Sequence, residues 1–559
     1  MKTLLVHPAF PKTYWGMEYA RLLSRRAALL PPLGLLTVAA LLPDDWEVRL
    51  VDLSIEPLRD IDLAWADIVL MGAMQIQQES YHEVIRRAHA VKKTVIVGGA
   101  YPSTDPDASS DADCVVIGES EELMLQICHD FEGGQLARRY QAQDRPDVSK
   151  SPVPRFDLLR TNTYQSIGVQ FSRGCPFNCE FCDIIEIFGR VPRTKSPEQL
   201  LRELDAVSAT GFRGMLFLVD DNFIGNKKAA KTMLPQLADW MDKHDFPFDI
   251  YTEASVNLAA DDRLVELMVN AGFTSVFLGI ETPSQDALAE THKTQNLRLD
   301  LNHAVEKLTR AGLEVMAGFI VGFDSDDEGI FERQRAFIQN APIPLAMTGI
   351  LSALPSTQLW RRLEREGRLI EDWSGENFGM ANFRTRMPAS ILLEGYKKLL
   401  LDLYAPDAYF ARCLNVLRLY PKHTPSRFRF PLGYGVVTFL RVVWRMGIVA
   451  SYRGSFWRFL GRALWTAPQL FARAVSQAVN GEHVIRFTRD DAMQRLERTR
   501  NAVHLASHRV GWRAPDETEQ HPGVAALSAA LEGPDDEVHL VPFGRRRLNA
   551  PTAFGPDAK

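Results

Sequence analysis

Short apolar runs separated by helical stretches set the rhythm of the first two-thirds of the chain. Residues 3–7 (TLLVH), 47–52 (EVRLVD), 67–71 (DIVLM), 94–97 (TVIV) and 114–117 (CVVI) read as strands, with helices at 33–42 and 80–91. Such alternation predicts a doubly wound parallel sheet. Ligands meet such sheets at the carboxyl ends of the strands. The loops there are 72–78 (GAMQIQQ), 98–104 (GGAYPST) and 118–121 (GESE). A polar stretch, 134–155, ends in Ser151-Pro152-Val153-Pro154 and reads as a linker.

A second series follows at 166–171, 214–219, 248–252, 275–278, 315–320 and 347–352. Helices are predicted between these strands at 197–209, 262–271 and 302–311, with Gly211, Gly272 and Gly312 behind them as C-terminal caps. This pattern predicts a partial (β/α)6 barrel with its active site at the strand C-termini. Polar residues and glycines gather there: Asp220, Asp221 and Asn222, then Glu253 and Ser255, then Gly279, Glu281 and Thr282, then Gly318, Gly322 and Asp324.

Beyond residue 355 the pattern turns helical, starting with a charged helix at 357–369. Residues 408–481 hold eleven Arg and Lys and no Asp or Glu, with aromatics interleaved as in 455–465 (SFWRFLGRALW). A basic amphipathic stretch of this kind fits a peripheral contact with an anionic membrane surface. A helical cap that closes the barrel accounts for it equally well. The expected organisation is a binding domain at 1–150, a barrel at 156–355, a helical domain at 356–510 and a disordered tail at 511–559.

The totals narrow the picture. The 559 residues are 46% apolar and 24% charged, as in soluble proteins with real cores. A net charge of −6 argues against a nucleic-acid partner. The apolar part of 1–10 (MKTLLVHPAF) is too short for a secretory signal. The uncharged run 27–43 is broken by Pro31-Pro32 and falls short of a span. Six cysteines in this length form no disulfide framework. Reduced thiols point to the cytoplasm, with membrane association at its face as the refinement. Cys114, Cys128 and Cys413 are scattered and read as small buried hydrophobes.

The remaining three sit in 172–183, SRGCPFNCEFCD. Cys175, Cys179 and Cys182 have a C-x3-C-x2-C spacing. Thiolates are soft ligands suited to iron–sulfur clusters. Three of them on a [4Fe–4S] cube leave one iron open for a further ligand. The alternatives are an incidental trio on a loop, or a zinc loop completed from afar. A structural zinc site prefers four protein ligands, and no second pair follows.

This stretch, with Arg173, Gly174, Pro176 and Phe181 in place, resembles the radical S-adenosylmethionine (SAM) superfamily. The resemblance implies that the three thiols hold the cluster, that SAM chelates its open iron, and that Phe181 lies near the adenine. It implies SAM contacts from Asp221, Glu253, Ser255, Gly279, Glu281, Gly318 and Gly322. The first domain resembles the cobalamin-binding domains that precede many such barrels. In them a Gly-Gly-x-His-x-Thr loop is frequent; here Gly98-Gly99-Ala100-Tyr101-Pro102-Ser103 stands in its place. No Asp-x-His-x-x-Gly motif is present to supply a histidine to cobalt. Met74, Gln75, Gln77, Gly98, Gly99, Tyr101, Ser103, Gly118 and Glu119 are the corresponding cobalamin candidates. Phe188-Gly189-Arg190 and 219–225 (VDDNFIG) complete the likeness to cobalamin-dependent radical SAM proteins with a DUF4070-type C-terminal domain, the hopanoid-methylase-like group.

That resemblance implies methyl transfer to an unactivated carbon of a small-molecule substrate. The 5′-deoxyadenosyl radical from one SAM removes hydrogen, methylcobalamin supplies the methyl group, and a second SAM restores it. An electron donor such as flavodoxin or ferredoxin is implied. The basic, aromatic third part hints at an isoprenoid, lipid-like or other hydrophobic substrate. The alternatives are a cobalamin-dependent rearrangement or ring closure, and a non-catalytic iron–sulfur redox or scaffold protein.

Overall fold

The computed structural model describes residues 1–297, 299–370, 378–422 and 432–509; the tail expected to be disordered lies outside them. The first sheet has six parallel strands, β1 (Lys2–His7), β2 (Glu47–Asp52), β3 (Ile68–Gly72), β4 (Thr94–Gly98), β5 (Cys114–Ile117) and β6 (Arg139–Gln141). Their order is β2-β1-β3-β4-β5-β6. Helices cover both faces, so the central strands are apolar throughout; Leu4, Leu5 and Val6 are fully buried. The helix Gln78–Ala90 packs through Tyr81, Val84 and Ile85 against Val69, Met71, Val95 and Val97. Leu35, Ile127 and Cys128 cover the opposite face over Leu5, Leu70 and Ile96.

The region expected to be a linker contributes β6. Its three residues pair with β5, and Tyr140 is buried between polar neighbours. Three residues are too few for a hydrophobic period to announce a strand. The helix Glu18–Ser24 was also outside the sequence expectation.

The second sheet has β7 (Ser166–Val169), β10 (Gly214–Leu218), β11 (Phe248–Ala254), β12 (Phe273–Glu281), β13 (Glu314–Val321) and β14 (Ala346–Ile350), parallel and in sequence order, with β7 and β14 unpaired to each other. It is a six-stranded open barrel. Between β7 and β10 lies a short antiparallel ribbon, β8 (Ser172–Arg173) with β9 (Arg193–Thr194). Side chains alternate across the sheet. Leu216, Leu218, Ile250, Val276, Leu278, Val315 and Ala317 are buried beneath the helices. Met215, Phe217, Tyr251, Glu253, Phe277 and Met316 face the interior and are only half-buried. Register sets Phe217 beside Tyr251, and Phe277 between Glu253 and Met316.

The third part is helical: Gln358–Arg365, Ala389–Leu403, Pro406–Leu419, Leu432–Val442 continuing as a π-turn Val443–Val449, Arg453–Thr466 and Phe471–Phe487. It covers the exposed edge strand β14, which would otherwise offer unpaired backbone groups. Tyr396 and Tyr404 donate to the carbonyls of Thr348 and Ala346 at 2.8 and 2.7 Å. Arg412 is fully buried and donates to the carbonyls of Ile343 and Leu403. All of this belongs to one compact unit, Met1–Arg500; of the second, 501–559, only the end of the helix Met493–Arg509 is described.

Candidate active site

The cysteine loop is shaped by backbone constraints before any ligand enters. Gly174 has φ +94°, and a Cβ there would stand 2.8 Å from the Gly189 carbonyl oxygen, so no other residue fits without a shift. The Cys175 amide donates to that same carbonyl at 3.2 Å. Asp220 accepts from the Phe171 amide at 2.8 Å and the Ser172 hydroxyl at 2.6 Å, and Asp221 accepts from the Gly174 amide at 2.8 Å. Two carboxylates at the end of β10 therefore pin the loop after β7. Burial pushes Asp220 up to about 6 and Asp221 up to about 7.

The thiols fit an iron–sulfur cluster. Asn222 Nδ2 points at Cys175 Sγ at 3.7 Å, and Gln295 Nε2 at Cys179 Sγ at 3.6 Å. Amide donors of this kind stabilise ligating thiolates. Burial raises the Cys175 and Cys182 thiols, so the ligating, deprotonated form calls for a cation beside them. Among the described residues, no three His, Cys, Asp or Glu side chains converge as ligands of a single ion would. The thiolates of a cube instead bind separate irons.

Around the loop stand carboxylates with little to neutralise them. The Glu253 side chain receives no hydrogen bond from any described residue. Burial, and then the charges of Asp221 and Glu281, push it up to about 7. Glu281 ends β12 at φ +67° and pairs with Lys293 at 2.6 Å. Gly279 and Gly318 face each other across β12 and β13. A Cβ on Gly279 would meet Glu281 Oε1 at 2.5 Å and Lys293 Nζ at 2.8 Å, so the pair as placed would have to shift. Lys293 Nζ lies 5.7 Å from the Phe181 ring centroid. Ser255 is held by Asn222 and donates to Asn257 at 2.6 Å. Three acids, Asp221, Glu253 and Glu281, against one lysine suit a cationic ligand such as the sulfonium and ammonium of SAM.

Most of the expected barrel set is thus brought together. The Gly322 amide donates to Asp326 at 2.8 Å, beneath Leu392. Asp324 faces the helical domain and pairs with Arg362 and Arg368 at 3.0 and 2.6 Å. Lys293, Gln295 and Asn296 had no sequence signal beyond a polar run, THKTQN, without period. Burial is what singles them out: Asn296 is fully buried, donates to the carbonyls of Gly279 and Ile280, and keeps its Oδ1 unpartnered, as does Gln295 its Oε1.

In the first domain, Met74 is exposed and Gln75 Oε1 is buried without a partner, both on the loop after β3. That loop and the one containing Gly98 and Gly99 lie next to the β1/β3 reversal of strand order, where such sheets take ligands. The unpartnered acceptor and the open loop fit a polar-rimmed corrinoid. Four other candidates have protein partners. Gln77 donates to the Pro8 carbonyl and accepts from the Met74 amide. Ser103 accepts from the Gly118 amide at 2.9 Å. Tyr101 is in the core with its hydroxyl on His82.

Glu119 has partners that the sequence did not show. Its carboxylate is buried and binds Arg173 and Arg193 at 2.6 Å each, while Glu121 binds Arg173 at 2.6 Å. Both arginines belong to the ribbon β8–β9 that carries the cysteine loop. The end of β5 is thereby clamped to the cluster loop, and both Glu119 oxygens are occupied.

A corrinoid-type sheet set against an open barrel with a three-thiol loop defines a class, and the comparisons agree. Family models match as B12 binding domain over 22–127, Radical SAM superfamily over 169–333 and Domain of unknown function (DUF4070) over 357–497. An uncharacterized methyltransferase of Synechocystis is 40% identical over 87% of this chain and 92% of its own length. The hopanoid C-2 methylase of Rhodopseudomonas palustris is 35% identical over 83% of this chain and 89% of its own. Among solved structures, the cobalamin-dependent radical SAM enzyme OxsB aligns with TM-score 0.57 at 15% identity, over 95% of this chain and 83% of that one. TsrM from Kitasatospora setae aligns at 0.56 and 14%, over 85% and 99%.

The chain belongs to the cobalamin-dependent radical SAM methyltransferases with a DUF4070 domain. Its cofactors are a [4Fe–4S] cluster, SAM and cobalamin.

Proposed function

We propose that this enzyme methylates an unactivated carbon of a hydrophobic, isoprenoid-like small molecule. One observation carries the substrate class: directly below Glu253 the barrel wall is apolar and only half-buried. Phe217 and Tyr251 stack at 4.6 Å, and Phe277 lies beside Met316. Trp15 reaches in from the first domain, 4.8 Å from Phe277. Rings and thioether on an open inner face suit a polycyclic hydrocarbon. The identity shared with the hopanoid C-2 methylase supports the same class.

Cys175, Cys179 and Cys182 hold the cluster. Glu281 and Glu253 hold the amino group and ribose of SAM, and Phe181 lies against its adenine. The loops with Met74, Gln75, Gly98 and Gly99 hold the corrinoid. When bound, the cluster and SAM supply a hydrogen-abstracting radical and the corrinoid supplies the methyl group. The chain positions the reacting groups, keeps water out and assigns no general base. Electrons come from a flavodoxin- or ferredoxin-like donor. The protein works in the cytoplasm, with a peripheral membrane contact through 408–481.

Incubation with methyl-deuterated SAM, a reductant and a polycyclic isoprenoid is the test. A product carrying the deuterated methyl supports the proposal. A product with rearranged carbon and no label shifts it to rearrangement or ring closure. Glu281→Gln should weaken SAM binding about tenfold or more, as expected for loss of a buried charge-assisted bond, with iron content unchanged.

A further inference from the structure

The helical domain has two faces, and only one is explained by capping the barrel. On the helix Arg453–Thr466, Phe456, Phe459, Leu460 and Ala463 are buried, with Phe459 stacked on Phe410 at 4.8 Å. The other face of the same helix shows Trp457, Leu464 and Trp465, the last 90% exposed. The preceding segment repeats this. Val436, Leu440, Trp444 and Ile448, four residues apart, are all exposed, Trp444 at 63%. Trp457 donates its indole N–H to the Gly447 carbonyl at 3.0 Å, which ties the two helices together. Leu22, Val437, Leu440 and Trp444 line one open cleft of about 450 Å³.

Large apolar side chains in this number are rarely left to water. Charge says what covers them. Between 432 and 481 there are six arginines and no acidic residue or lysine. Arg441, Arg453 and Arg462 form no ion pair with any described residue; Arg441, in the cleft, donates to the Leu23 carbonyl. Arg445, Arg458 and Arg473 pair with Glu482, Asp407 and Glu314, so the uncompensated charge is that of the other three, and a protein partner of ordinary composition has no need of it. A bilayer with anionic headgroups matches it: tryptophans at the interface, aliphatic groups just below, arginines on the phosphates. No helix among the described residues is long and apolar enough to cross a membrane.

We propose that the outer face of Leu432–Val442, Val443–Val449 and Arg453–Thr466 is a monotopic docking surface for an anionic bilayer. Trp444 and Trp465 anchor it, and Arg441, Arg453 and Arg462 bind its headgroups. It rests on the membrane contact proposed above and gives it a site and a lipid chemistry. Docking would let a membrane-dissolved substrate reach the enzyme without crossing water.

The test needs no turnover, so its outcome is separate from that of methyl transfer. Anaerobically reconstituted full-length enzyme is floated with vesicles of phosphatidylglycerol and phosphatidylcholine, or of phosphatidylcholine alone. The enzyme should rise with the anionic vesicles, and high salt should weaken this. The Trp444→Ser/Trp465→Ser variant should bind about tenfold less or weaker. The Arg441→Gln/Arg453→Gln/Arg462→Gln variant should lose about a hundredfold and its salt dependence. Both should keep wild-type iron and cobalamin content. Failure of the wild type to float, flotation that ignores the tryptophans, or a concentration-dependent dimer dispersed by the tryptophan variant would each overturn the proposal.

Discussion

Replacing Glu119 by glutamine probes the clamp between the corrinoid sheet and the cluster loop. The side chain is 3% exposed and meets Arg173 and Arg193 at 2.6 Å each. Removing one partner of a buried ion pair costs about 3–5 kcal/mol. Here the loss is softened. Arg193 keeps the carbonyls of Pro146 and Phe188 at 2.6 and 3.2 Å, and Arg173 keeps Glu121 at 2.6 Å. The low end, about 3 kcal/mol, is therefore expected, which equals about a hundredfold in an opening equilibrium. Hydrogen–deuterium exchange of the reconstituted holoenzyme reads this directly. Peptides spanning 114–121 and 172–175 should exchange about a hundredfold faster, while β10 to β12 keep their protection. Displacing the corrinoid by about 1 Å should also cost up to a hundredfold in methyl transfer while SAM cleavage continues. Exchange within about threefold of wild type, on the same scale, would refute the clamp's hold on the cluster loop.

Gly174→Ala forces a side chain into φ +94° and onto the Gly189 carbonyl; a local cost of about 1–3 kcal/mol is expected, measured as lower iron content after reconstitution and a lower melting temperature. The Asp324 carboxyl is raised by burial, but hydrogen bonds from Arg368 and Arg362 outweigh this and hold it down at about 2. Its folded value lies below its unfolded one, so its contribution is complete above the ordinary carboxylate range, about pH 4, and is lost as pH falls through about 2. Acid unfolding curves should show that slope in the wild type and a flatter one in Asp324→Asn.

Local pattern revealed much of this molecule. Strand positions followed from short apolar runs, and the three thiols from their spacing. Glu253 and Glu281 followed from their place at strand ends. The arginine-rich, acid-free stretch was visible as composition. What escaped was whatever depends on partners distant in sequence. Glu119 looked like a ligand-loop residue because it follows a strand and a glycine. Its place in the clamp depends on Arg173, 54 residues away, and on Arg193, 74 away. Lys293 lies in a run without period, and its meaning comes from Glu281 across the strand end. Tyr101 occupies a position where sequence analogy expected a ligand contact, and the core took it.

The same division holds for the outer helices. Sequence alone determined that residues 408–481 carry arginine and tryptophan without acids, because composition needs no partners. Only the tertiary structure decided which face each helix turns inward, because burial is a contest among all elements for one core. Phe456 and Phe459 won places beneath the surface, and Trp444 and Trp465 were left outside it.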